Sequence, residues 1–340
     1  MNREPRRPTQ WLGLEETVDE AGRESFPASD PPSWSATHLG PPSIIRGAPE
    51  PFHDVAQRIR DDVRLLSETI GERNTRSSRA FENLTRAAEA IEGRFRDAEL
   101  PVRRRPIDEL SWNVEAVIRG GRLAEESVVV GAHYDSARRS PGADDNASGV
   151  AMLIALAHSL QAMRHERTVR LVAFAAEEPP HASTEAMGSA HYLDALRREG
   201  PRVSAMMSVE AVGVYAKQPH AWPFRMSRLL RSDIALVGDR TTRDLLERAK
   251  RAFESTTSDV AVAAVTFPLL FATVRTQAHE VFARAGVPAF MVTGTAPLKS
   301  IEYHRETDTA GLLDYDCLGV TSIALRRIVT ELAGTERTVV

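Results

Sequence analysis

The sequence predicts an α/β fold: a three-layer sandwich with a mostly parallel, mixed central sheet. Three observations predict it. Strand-like and helix-like segments alternate through most of the chain, the pattern of a parallel sheet covered by helices. The segment Glu126-Ser-Val-Val-Val-Gly-Ala-His133 is apolar and β-branched and stops abruptly at polar residues, as a buried strand does at a sheet edge. Successive core strands end in histidine or carboxylate side chains, and ligands of open α/β sheets bind beyond the carboxyl ends of strands.

Composition sets the outer bounds. The 340 residues allow one large domain or two small ones, and 42% hydrophobic with 26% charged residues is ordinary for a globular chain. A net charge of -4 leaves no electrostatic footprint for nucleic acid. The single cysteine, Cys317, forms no internal disulfide. Arg6 and Arg7 precede a stretch without the apolar core of a leader peptide. The longest apolar run, residues 260–274, is broken by Pro268 and is too short to span a bilayer. No membrane partner and a cytoplasmic location are the expectations.

Residues 1–51 are rich in Pro, Ser, Asp, Glu and Arg and are expected to be a disordered or loosely attached segment. Residues 53–70 form an expected helix with Val55, Ile59, Val63, Leu65 and Leu66 on one face. A turn follows at Ile70-Gly-Glu-Arg-Asn74. Residues 77–100 repeat the helical spacing with Phe81, Leu84, Ala88 and Ile91. Residues 113–118 alternate like a strand and run through Gly120-Gly121 into the central strand, which reads as a hairpin.

His133 and Asp135, two apart, point the same way at the strand end. A Pro141-Gly142 turn leads to Asp144, Asp145 and Asn146, with Ser148 placed to cap a helix over residues 150–157. A strand over 168–175 ends in Glu177-Glu178-Pro179-Pro180, then a helix covers about 186–198. The strand over 203–209 ends at Glu210. Residues 213–232 read as irregular, 240–254 as helix, 278–285 as a short helix, 287–293 as strand and 303–308 as polar loop. Residues 316–332 close the chain as a helix.

Carboxylates gathered at one sheet edge repel unless something positive holds them. Mixed imidazole and carboxylate donors suit zinc or a related divalent ion, and five or six such groups suit two ions better than one. Paired ions roughly 3.5–4 Å apart can clamp a water and a scissile carbonyl.

At these residues the chain resembles the co-catalytic zinc aminopeptidases and glutamate carboxypeptidases, metallopeptidase family 28. The resemblance rests on Gly131-Ala-His-Tyr-Asp-Ser136, Pro141-Gly-Ala-Asp-Asp-Asn-Ala-Ser-Gly149, Phe174-Ala-Ala-Glu-Glu178, Ser208-Val-Glu210, and Tyr303-His304 with Asp308-Thr309. It implies the zinc exopeptidase, phosphorylase/hydrolase-like fold, with residues 52–340 as the catalytic domain. It implies that Asp145 bridges two zinc ions, that His133 and Glu210 complete one position, and that Glu178 and His304 complete the other. Glu177 is implied as the general base for the attacking water, Asp135 as the residue orienting His133, and Tyr303 as an oxyanion partner. The implied activity is removal of N-terminal residues from peptides.

The sequence departs from the family pattern twice. Glu210 stands where Asp is frequent, and Gln277-Ala278-His279 replaces a usual Ser-Asp-His. His279 is expected either near the substrate or as a structural histidine, and Asp144 as a loop residue. Phe267, Leu269, Leu270 and Phe271 are expected to pack in the core. Other chemistries on the same scaffold stay open: a carboxypeptidase, a small-amide hydrolase, or a single-zinc glutaminyl cyclotransferase. A non-catalytic binding module would have lost ligands, and none of the five positions is lost here.

Overall fold

The computed structural model describes residues 52–109, 111–215, 232–266, 278–295 and 304–334. The expectations for residues 1–51, for Phe267 to Phe271 and for Tyr303 lie outside them.

Eight strands form one sheet: β1 (Val102–Pro106), β2 (Trp112–Ile118), β3 (Leu123–His133), β4 (Arg167–Phe174), β5 (Arg202–Glu210), β6 (Ile234–Gly238), β7 (Val262–Thr266) and β8 (Ala289–Gly294). Their spatial order is β1-β2-β4-β3-β5-β8-β6-β7. The centre, β4-β3-β5-β8, is parallel. β1 and β2 run antiparallel on one side, and β6 joins β8 antiparallel on the other before pairing parallel with β7. The mixed, mostly parallel sheet is therefore as the sequence predicts.

One pairing is not. β2 and β3 are not a hairpin, because β4 lies between them. Gly120-Gly121 carries the chain past the start of β4. Gly121 N–H donates to the His165 carbonyl at 2.9 Å, and a Cβ on Gly120 would stand 2.4 Å from the Arg167 carbonyl carbon. The glycines permit a close backbone crossing rather than a tight turn. β1, β6 and β7 also went unread. β1 is an edge strand of sequence Val-Arg-Arg-Arg-Pro, and charge on an edge strand protects it from pairing further while erasing the apolar signal.

Helices cover both faces. α1 (Phe52–Arg64), α2 (Ser78–Asp97), α3 (Gly149–Leu160), α5 (Arg243–Glu254) and α7 (Tyr315–Ala333) share one apolar cluster with Val128, Val130 and Ala132 of β3. α4 (Gly188–Glu199) and α6 (Ala278–Arg284) pack on the other face, against Val129, Val172 and Met206. Alternate residues of β3 thus serve opposite layers, as the period of a strand requires. α3 is apolar nearly all round, and its residues from Gly149 to Ala157 are all buried. A helix of that kind belongs in a core.

Among the described residues, side chains cap two helix starts, Ser77 at α2 and Asp314 at α7, where Asp314 accepts from the Cys317 N–H at 3.0 Å. Ser77 caps α2 by accepting from the Ala80 N–H at 3.2 Å. Ser148 does not cap α3. It already has helical dihedrals at the end of a widened turn, Ala143–Ser148, and its hydroxyl bonds back to the Asp144 carbonyl. Among the described residues no helix is long and apolar enough to cross a membrane.

Candidate metal centre

β4, β3 and β5 are adjacent and parallel, so their C-terminal ends open on one edge of the sheet. His133 is the last residue of β3 and Glu210 the last of β5. Glu177 and Glu178 follow the end of β4. Asp145 enters from the turn before α3, and His304 from the segment before α7. Ala176, Ala211 and His304 hold φ of 57°, 47° and 61°, so the chain bends sharply where it leaves the sheet. Left-handed backbone at non-glycine residues costs about 1–3 kcal/mol each and persists where surrounding packing fixes it.

The side chains form two triads with one shared member. His133 Nε2 lies 3.2 Å from Asp145 Oδ1 and 3.3 Å from Glu210 Oε2. His304 Nε2 lies 3.0 Å from Asp145 Oδ2 and 3.3 Å from Glu178 Oε1. Within each triad the donor atoms lie within 4.8 Å of one another. Donors placed tetrahedrally about a zinc ion at its usual bond lengths stand roughly 3.3 Å apart. Glu178 Oε2 and Glu210 Oε1 are buried and lack a hydrogen bond. Buried carboxylate oxygens without donors are costly unless a cation faces them. The residues therefore fit a divalent ion in each triad.

A ring of hydrogen bonds holds these groups. Asp135 Oδ2 accepts from the backbone N–H of both Glu177 (3.0 Å) and Glu178 (2.9 Å). The His133 Nδ1 contact at 3.0 Å is to the Asp135 backbone carbonyl, and the Asp135 carboxylate is 3.5 Å away. Asp135 thus stands at the ring nitrogen that sequence reasoning gave it, and it also anchors the two glutamates. Asp308 mirrors it, accepting from the Asp144 N–H at 2.8 Å and the Asp145 N–H at 3.0 Å.

Asn146 uses its whole amide. Its Nδ2 donates to Glu210 Oε2 (2.7 Å) and the Val209 carbonyl (2.8 Å), while Oδ1 accepts from Gly149 (3.0 Å) and Ala211 (3.1 Å). Glu177 belongs to neither triad, and Ser189 donates its N–H to Oε1 at 2.7 Å and its hydroxyl to Oε2 at 3.1 Å. Glu177 is therefore buried but paired. Behind the ring lies Arg73, fully buried. Its guanidinium donates to the carbonyls of Tyr134 (2.6 Å), Pro141 (2.6 Å) and Gly142 (2.9 Å).

The electrostatics follow from burial and crowding. Burial raises the Glu177 carboxyl to about 8, although Ser189 opposes the shift. Burial likewise raises Glu210 to about 7, with His133 opposing, and Asp144 to about 7. For His304, burial favours the neutral ring, but Asp145 and Glu178 outweigh it and raise the group to about 10. Burial opposes the charge on Asp145 too, and the two histidines still hold it below the usual carboxylate range. In the protein alone, protons on histidine supply the positive charge that a metal would replace.

All five sequence-predicted ligand residues are brought together, with Glu177 and Asp135 beside them. Asp144 is a loop residue whose Oδ1 accepts from the Gly213 N–H at 2.6 Å. His279 is buried and belongs to neither triad; burial lowers it to about 4. Sequence reasoning gave no role to Asn146, Ser189, Asp308 or Arg73. Asn146 and Asp308 stood inside quoted motifs, which was the available signal. Arg73 and Ser189 had none, since a turn arginine and a helix-start serine are common.

Residues 113–329 match the model of peptidase family M28. An uncharacterized protein of Escherichia coli (strain K12), YfbL, is 31% identical over 280 residues, covering 78% of this chain and 84% of that protein. The aminopeptidase YwaD of Bacillus subtilis (strain 168) is 32% identical over 108 residues, covering 31% of this chain and 23% of that protein. Among solved structures, BSAP, a zinc aminopeptidase from Bacillus subtilis, superposes with a TM-score of 0.66 at 15% identity, covering 81% of this chain and 94% of that one. That last likeness speaks for the fold.

Proposed function

This chain belongs to peptidase family M28, and from that premise we propose that it is a zinc-dependent exopeptidase of the aminopeptidase kind, with two metal ions. The observation that carries the reading is the pair of triads sharing Asp145. His133, Asp145 and Glu210 would hold one ion, and Asp145, Glu178 and His304 the other. A single-zinc chemistry would leave one of these triads without a purpose, which favours the hydrolase over the cyclotransferase.

Bound zinc supplies Lewis-acid polarisation of the scissile carbonyl and of the attacking water. Glu177, one residue from a ligand and outside both triads, acts as general base and then as proton donor to the leaving amine. Burial raises its carboxyl in the metal-free protein, and nearby cations would bring it back down towards the range in which a carboxylate both takes and returns a proton. Ser189 fixes its rotamer. Asp135 holds the backbone of Glu177 and Glu178 together, so the base and the ligand keep a fixed offset. Asn146 restrains Glu210, whose extra methylene relative to Asp would otherwise add a free rotor. The substrate is a peptide, with a free α-amine as the group to be recognised. Tyr303 is carried forward as the oxyanion partner on the strength of its place beside His304.

The test is metal content by elemental analysis together with hydrolysis of amino-acid p-nitroanilides, before and after chelation. About two zinc per chain and chelator-sensitive release from free-amine substrates support the reading. One zinc with pyroglutamate formation favours the cyclotransferase. A protein that binds zinc but cleaves only N-blocked peptides overturns the aminopeptidase assignment.

A further inference from the structure

We propose that Asp308 is the positioning residue that presents the shared carboxylate, Asp145, to both metal positions at once. The inference rests on the two-triad reading and extends it to a residue outside the ligand set.

Asp145 faces a demand that no other ligand here faces. Its two oxygens must point in different directions, Oδ1 towards His133 and Oδ2 towards His304. A small rotation of its backbone would spoil both triads together. Its own segment offers little restraint: Asp145 and Asn146 have φ/ψ of -112°/88° and -137°/41° inside the turn before α3, so no helical hydrogen-bond ladder fixes them.

Asp308 supplies that restraint from across the fold. Its carboxylate is buried, and its two oxygens take the N–H groups of Asp144 and Asp145 separately. Its backbone carbonyl accepts from the Ala143 N–H at 3.2 Å. Three consecutive N–H groups therefore end on one residue. The contact spans more than 160 positions in sequence, and Asp308 is four residues beyond His304. One side chain thus ties the segment that bears the shared ligand to the segment that bears a ligand of the second triad. Arg73 is a fully buried cation beside this turn. Its guanidinium grips the Pro141 and Gly142 carbonyls at the entrance to the same turn.

The consequence is specific. Loss of a ligand confined to one triad weakens one metal position. Loss of Asp308 weakens both, although Asp308 belongs to neither triad. Groups that orient ligands typically change metal affinity by about 10–100-fold when removed.

The experiment is a zinc titration of the metal-free full chain by calorimetry, with the visible spectrum of the cobalt-substituted protein as a second readout. The variants are Asp308→Asn, His304→Ala and Asp62→Asn, the last a buried carboxylate paired with Arg94 and outside both triads. The proposal expects both zinc steps of Asp308→Asn to weaken about 10–100-fold and both cobalt bands to shift. His304→Ala should lose one step, and Asp62→Asn neither. Asp308→Asn with both affinities unchanged and only a lower Tm overturns it, as does weakening of one step alone. If Asp308→Asn does not fold, Asp308→Glu keeps the charge and displaces the acceptors, and the same paired weakening is expected. A wild-type chain that binds no zinc removes the two-triad reading itself, and the proposal with it. A wild-type chain that binds two ions, alongside an unaltered Asp308→Asn, refutes the positioning role alone.

Discussion

Glu177 and Ser189 form a two-point contact: the Ser189 N–H and hydroxyl each donate to a different oxygen of the same buried carboxylate. The start of α4 thereby sets the rotamer of the proposed base at the end of β4. Replacing Glu177 by Gln keeps the shape and removes the proton acceptor. Glu177→Gln is expected to lower kcat by about 10²–10⁴-fold with zinc content unchanged. Steady-state kinetics with elemental analysis on the same sample check this.

Ser189→Ala removes one of the two donors and leaves the backbone one in place. A donor to the ionised form holds a carboxyl down, so its loss pushes Glu177 further up. The base is then protonated to a higher pH, and the acid limb of the kcat/KM profile is expected to move to higher pH. A profile that keeps its acid limb while kcat falls contradicts this account of Ser189.

Zinc binding is expected to release protons. In the metal-free protein His304 is raised to about 10 and His133 lies well above its usual value, so both carry protons at pH 7, whereas a metal-bound ring is neutral. Affinity for zinc should therefore rise with pH through the neutral range. Without metal the sign reverses. The His304 pairs with Asp145 and Glu178 stabilise the fold fully below the ordinary histidine value and are lost as pH climbs through about 10. Calorimetry in buffers of different ionisation enthalpy is expected to show at least about two protons released at pH 7, one from each histidine with more from Glu210.

Asn146→Ala strips the donor from Glu210 and leaves the Ala211 N–H unpaired in the interior, while the Gly149 N–H keeps the Asn146 backbone carbonyl. Unsatisfied buried groups cost about 1–3 kcal/mol each. The variant is expected to unfold at visibly lower temperature and to bind zinc more weakly through Glu210. Thermal unfolding with and without zinc checks both parts, and a variant with wild-type Tm in both states contradicts them.

Gly188→Ala tests the close approach that brings Ser189 to Glu177. An added Cβ would stand 2.2 Å from the Ala175 carbonyl oxygen and 2.4 Å from Asn113 Oδ1. Overpacking of this kind costs about 1–3 kcal/mol. Because α4 must retreat to relieve it, kcat is expected to fall further than in Ser189→Ala, and paired kinetics of the two variants measure the difference.

The sequence by itself determined the layer architecture and named the residues proposed as ligands. Strand termini are written locally, since an apolar run gives way to polar side chains at His133 and at Glu210. Five donors in five short motifs need no knowledge of the fold to be named. The order of the strands was not written locally. The Gly120-Gly121 pair suits a hairpin turn and a close crossing equally, and the choice was made by β4 arriving some fifty residues later to pair with both neighbours. The supporting shell was beyond the sequence for the same reason. Asp308 meets Asp144 and Asp145, Ser189 meets Glu177, and Arg73 meets Pro141 only after the sheet and helices have closed. A metal ligand is recognised by the chemistry of its own side chain. A residue that positions a ligand is defined by its partner, and only the tertiary structure decides who that partner is.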